Sequence, residues 1–175
     1  MSQFKLLIVD DNPHVVNSLK RALEGEFQVS YCHNEEEAKK EFLKEPDIVL
    51  LDINFNESNL HDKTGLHLLE EFLKANPNIP VVMITAYGDI PTAVECMKKG
   101  AYDYIPKPPN IEELKERLHR AIQNSQTQKK VQELEERLLK IDPLDMVGIS
   151  PSIQEVKNLI EKISQDPYVT IMILG

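Results

Sequence analysis

Five apolar runs alternate with segments of helical periodicity, and that alternation limits the chain's fold more than any other feature. The runs are "KLLIVD" (5–10), "QVSYC" (28–32), "DIVLLD" (47–52), "PVVMIT" (80–85) and "YDYIP" (102–106). Runs of this kind suit central parallel strands covered on both faces. Between and after them lie apolar stripes at helical spacing. Val15, Val16, Leu19 and Leu23 form the first, and Ala38, Phe42 and Leu43 a shorter second. Leu66, Leu69, Phe72 and Leu73 form the third, Ile90, Ala93, Val94 and Met97 the fourth, and Ile111, Leu114, Leu118 and Ile122 the fifth. Five strands alternating with five helices predict an α/β, doubly wound parallel sheet with helices on both faces.

The alternation ends near Asn124. "NSQTQKK" (124–130) is polar, and "VQELEERLLKI" (131–141) spaces Val131, Leu134, Leu138 and Ile141 by 3, 4 and 3. That is a coiled-coil seam of about two heptads, and no Gly or Pro interrupts it before Pro143. A further segment, "MVGISPSIQEVKNLIEKI" (146–163), offers Ser152 as an N-cap with Glu155 three residues on. The expected organisation is a domain over 1–124, a helical linker over 125–142 and the start of another domain over 143–175.

Hydrophobic content of 41% and charged content of 28% over 175 residues are ordinary for a globular protein. A net charge of −9 offers no broad basic face for nucleic-acid phosphates, so DNA contact is expected only through other parts of the molecule. No run approaches the length of a membrane helix, and the N-terminus lacks a secretory signal pattern. Cys32 and Cys96 form no pair-spaced motif and read as reduced thiols of a cytoplasmic protein. The five histidines, His14, His33, His61, His67 and His119, show no metal-ligand spacing and read as surface or structural residues.

Ligands of a doubly wound sheet bind at the carboxyl ends of the strands, where the strand order reverses. The first run ends in Asp10-Asp11 and the third in Asp52. With order 2-1-3-4-5 these strands are neighbours and three carboxylates converge. Such acids raise one another's pKa, and a divalent, oxygen-seeking cation such as Mg²⁺ relieves the repulsion. Thr85, a hydroxyl donor, ends the fourth run, and Lys107, a point charge suited to phosphate, follows the fifth.

The pieces "VDD", "LLD", "ITA" and "PKP", in that order and each ending its own run, resemble a response-regulator receiver domain with a flavodoxin/CheY-like fold. The resemblance implies that Asp52 accepts a phosphoryl group from a histidine of a sensor histidine kinase. It implies Mg²⁺ held by Asp11, Asp52 and the backbone carbonyl of Asn54, with Asp10 acting through water. Lys107 would neutralise the phosphoryl oxygens. Thr85 would hydrogen-bond them, and Tyr104 would turn inward behind it, switching the face of helix 4, strand 5 and helix 5. The Lys107–Pro108 bond is expected to be cis.

Two departures from that family stand out. Gly65 follows Asp52 by 13 residues, across a long polar loop, and "KPPN" lacks the usual aromatic after Lys-Pro. The tail "MVGISPSIQEVKNLIEKI…VTIMILG" resembles the opening of the AAA+ domain of NtrC-like sigma-54 activators, with Gly175 at the first glycine of a Walker A loop. This implies a homodimer formed through the switch face and the linker. It also implies control of the chain's own AAA+ domain, with sigma-54 RNA polymerase and DNA engaged only through parts beyond this sequence and no membrane involved. No ATP hydrolysis is expected from these residues alone. Two other classes compete: a Mg²⁺-dependent phosphohydrolase, which would place a second catalytic Asp where Asn12 stands, and an interaction module that is never phosphorylated.

Overall fold

The computed structural model describes residues 3–54, 63–86, 90–140, 154–156 and 158, with no side-chain description for 138–140. Gly175, Ile141, Ser152 and the Walker-like strand therefore lie outside the described residues, as does the side chain of Leu138. The chain divides into two compact units, Met1–Lys130 and Val131–Gly175.

The first unit holds one parallel sheet, as the alternation predicts, and its order β2-β1-β3-β4-β5 is the one that the family resemblance implies. Its strands are β1 (Phe4–Val9), β2 (Phe27–Cys32), β3 (Ile48–Asp52), β4 (Val81–Thr85) and β5 (Asp103–Pro106). The helices are α1 (Pro13–Leu23), α2 (Glu35–Phe42), α3 (Thr64–Ala75), α4 (Ile90–Lys98) and α5 (Ile111–Lys140). β1, β3 and β4 form the middle of the sheet; β3 and β4 are buried throughout, and β1 from Leu6 onward. Alternate side chains point to opposite faces, so two apolar layers form. Leu7, Val9, Val49, Leu51 and Met83 meet Ala38, Leu69, Phe72 and Cys96 on one side. Leu6, Ile8, Leu50, Val82 and Ile84 meet Val16, Leu19, Leu114 and Leu118 on the other.

Three expectations need correction. β2 and β5 are edge strands with partly exposed side chains, because a sheet that does not close always has two edges. Leu43 follows α2 as its C-cap and is 80% exposed. The fourth stripe also faces outward: Ile90, Val94 and Met97 are 80%, 45% and 48% exposed, and α4 buries Cys96 instead. Helical spacing identifies an apolar face but not whether the fold covers it.

Local sequence accounts for the helix starts. Asn12 caps α1, its side chain accepting from His14 and Val15 N–H, with Pro13 at the first turn. Asn34 accepts from Glu37 N–H at 2.9 Å, and Glu35, Glu36 and Glu37 lie at the positive end of α2. Asn110 receives the N–H groups of Glu112 and Glu113 at 3.1 and 3.2 Å, so the unusual "KPPN" supplies the cap of α5. No break interrupts α5 before Lys140, and Val131 and Leu134 on it are each about half exposed. Cys32 and Cys96 are free, and burial pushes their thiols up to about 12 and 11. Among the described residues no helix is long and apolar enough to cross a membrane.

Candidate functional site

The ends of four strands meet at one edge of the sheet. Val9 pairs with Leu51, Asp52 with Ile84, and Thr85 with Pro106. Asp10 and Asp11 therefore follow β1 beside Asp52, the last residue of β3, while Thr85 closes β4 and Lys107 follows β5. Carboxylate oxygens of Asp10, Asp11 and Asp52 lie within 4.8 Å of one another. The three carboxylates therefore converge, as their places at the strand ends predict.

Asp10 is fully buried and Asp52 is 4% exposed. The Lys107 ammonium lies 2.6 Å from Asp10 Oδ2 and 2.8 Å from Asp52 Oδ2, bridging the two. The backbone N–H of Asn12 donates to Asp10 Oδ1 at 2.9 Å, and that of Asn54 to Asp52 Oδ1 at 3.4 Å. Burial pushes Asp52 up to about 6; Lys107 pulls against this rise and Asp10 adds to it. Burial also works to lower the Lys107 pKa, but the Asp52 and Asp10 carboxylates raise it on balance. One ammonium thus faces two buried carboxylates with a third nearby, leaving an excess of negative charge. The donor set is hard oxygen only, which fits Mg²⁺ and suits neither zinc nor copper as well. Among the described residues, the carboxylates of Asp10, Asp11 and Asp52 are close enough together to hold such an ion.

Thr85 is buried at the end of β4, and its carbonyl accepts the Lys107 N–H at 2.7 Å. Tyr104 is half-buried against the layer that contains Met83, its partner in the β4–β5 register. The Lys107–Pro108 peptide is cis, as expected. Beyond these residues, two supports escaped the sequence reading. A Cβ on Gly65 would lie 2.1 Å from the Asp52 carbonyl oxygen and 2.7 Å from Ile53 Cα, and its N–H donates to the Ile53 carbonyl at 3.0 Å. Only glycine lets α3 sit this close behind the acid. A glycine in the first turn of an otherwise good helix was the available signal. His33, read from the sequence only as a surface or structural residue, brings its ring Nδ1 to 3.0 Å from the Asp10 carbonyl oxygen. No sequence spacing announces that contact.

A second cluster, Glu35, His67 and Glu71, has the same compactness. Lys39 bridges its two carboxylates at 2.7 and 2.8 Å, and the group lies near the surface, where solvent and salt screen the remaining negative charge.

The geometry agrees with comparisons to known proteins. The response regulator receiver domain family matches residues 6–119. The DNA-binding transcriptional regulator NtrC of Proteus hauseri is 32% identical over 177 residues, covering all of this chain and 36% of its own length. The chain thus spans about a third of that relative. Among solved structures, NtrX from Brucella abortus in complex with ADP aligns with a TM-score of 0.70 at 30% identity, over 93% of this chain and 36% of that one. A CheY-like receiver domain protein from Methanospirillum hungatei aligns with a TM-score of 0.64 at 28% identity, over 73% of this chain and 99% of that one. With its sheet order, its converging acids and lysine, and a match over most of its length, the chain belongs to the response regulator receiver domain family.

Proposed function

We propose that this chain is a phosphorylation-controlled switch in which Asp52 is the phosphoacceptor, and that the donor is a phosphohistidine of a sensor kinase. The observation that carries the proposal is the buried convergence of Asp10, Asp11 and Asp52 with Lys107. An Asp52 carboxylate oxygen attacks phosphorus, the P–N bond breaks with its electron pair staying on the imidazole, and an acyl phosphate forms. Bound Mg²⁺ supplies positive charge for the phosphoryl oxygens. Lys107 adds to that charge by leaving the carboxylates it now bridges, so the protein's contribution is positioning and electrostatics. Thr85 donates its hydroxyl to the new phosphoryl group and Tyr104 fills the space behind it, biasing the exposed face of α4.

A groove of about 620 Å³ opens beside Lys107, with Val15, Leu19, Pro108, Pro109 and Ile111 along its walls. The exposed Val131 and Leu134 on α5, with Leu138 and Ile141, form the dimer seam of a linker over 125–142. Residues 143–175 open an AAA+ domain whose sigma-54-dependent activity the switch governs. The likeness to NtrC and NtrX supports this wider role. The reading is tested by incubating the chain and its Asp52→Asn variant with Mg²⁺ and a phosphohistidine kinase or acetyl phosphate. One labile phosphoryl group per wild-type chain and none on the variant is the expected result. Phosphorylation of the variant, or repeated turnover of a small phosphate ester, would overturn it.

A further inference from the structure

His33 stands where the β1–β2 ladder stops. Asp10 N–H still bonds to the Cys32 carbonyl at 3.2 Å, as a parallel ladder requires. The same ladder would next bring the N–H of Asn34 to the Asp10 carbonyl. Asn34, however, turns away to cap α2. The imidazole of His33 takes over, with Nδ1 at 3.0 Å from the Asp10 carbonyl oxygen. That oxygen offers only lone pairs, so the ring nitrogen facing it carries the proton. The residue is held at both ends: its backbone N–H donates to Glu37 Oε2 at 3.2 Å, and Tyr31 meets the imidazole edge-on at 5.6 Å between centroids.

The Asp10 carbonyl and the Asp11 N–H share one rigid peptide plane. Fixing the oxygen therefore fixes the direction in which the chain enters Asp11. We infer that His33 is a positioning residue for the acid site, its Nδ1–H holding the Asp10–Asp11 peptide so that Asp11 is presented toward Asp52. Its bearing on cation binding rests on the Mg²⁺-dependent reading above, whereas its hold on the peptide does not. The residue touches neither the reacting oxygen nor a phosphoryl group.

Three substitutions separate this role from simple space-filling. The Nδ2 of asparagine occupies nearly the place of histidine Nδ1, whereas the amide nitrogen of glutamine sits one bond further out. In the full chain, Mg²⁺ titrated calorimetrically should bind about threefold to tenfold more weakly to His33→Ala and His33→Gln. His33→Asn should stay within about twofold of wild type. Without metal, the ¹H–¹⁵N resonance of Asp11 should move in His33→Ala and return toward its wild-type position in His33→Asn. Wild-type affinity and an unmoved Asp11 resonance in His33→Ala would overturn the inference, as would equal losses in all three variants. If the wild-type chain shows no Mg²⁺ response, the phosphoacceptor reading fails, and the Asp11 resonance still decides the role of His33.

Discussion

Replacing Asp52 by asparagine should make the metal-free protein more stable. In the folded chain burial pushes this carboxyl from the ordinary 3.8 up to about 6, a rise worth about 3 kcal/mol. The sign follows from linkage: between pH 4 and 6 the native state binds the Asp52 proton more tightly than the unfolded state does. This group's contribution therefore favours folding below pH 4, declines as pH rises, and reaches its full cost above pH 6. Asparagine keeps the shape and an oxygen for Lys107 without the charge, while Lys107 retains its ion pair with Asp10. Urea unfolding of both proteins in EDTA, followed by circular dichroism from pH 4 to 8, measures the difference directly. Asp52→Asn should exceed wild type by up to about 3 kcal/mol at pH 7.5, and the gap should close toward pH 4. Saturating Mg²⁺ should then stabilise the wild type and narrow the gap at pH 7.5. A variant no more stable than wild type at pH 7.5, or a gap independent of pH, would refute the reasoning.

Other substitutions test neighbouring parts of the argument. Gly65→Ala should cost about 3 kcal/mol in urea unfolding, because the new methyl meets backbone that cannot yield. Gly25→Ala, where a Cβ meets nothing within 4 Å, should instead be neutral or gain about 0.5 kcal/mol. Charges introduced together as Leu134→Glu and Leu138→Glu should shift the protein toward monomer in sedimentation, and an unchanged mass would remove the linker from the dimer interface.

Much of this fold was readable because its central strands are apolar on both faces. The acids that end β1 and β3 stood out against those strands, as did Thr85 and Lys107. Legibility failed where the cause was tertiary. The stripe Ile90, Val94 and Met97 has helical period, but no period says that α4 leaves it uncovered and buries Cys96. "KPPN" looked like a lost aromatic, while its asparagine proved to be the α5 cap. Gly65 and His33 support the site through backbone atoms distant in sequence; the helical glycine hinted at a close approach, but no spacing named what either residue would touch.

The sheet divides the interior into two packed layers whose side chains do not intermingle. Substitutions that share no neighbours combine additively, whereas touching residues compensate one another. Mutational drift in such a molecule therefore proceeds along two nearly separate ledgers of shape. The compartment with Phe72, Cys96 and Tyr104 can be retuned for new responsiveness while the compartment with Leu114 and Leu118 goes on anchoring α5.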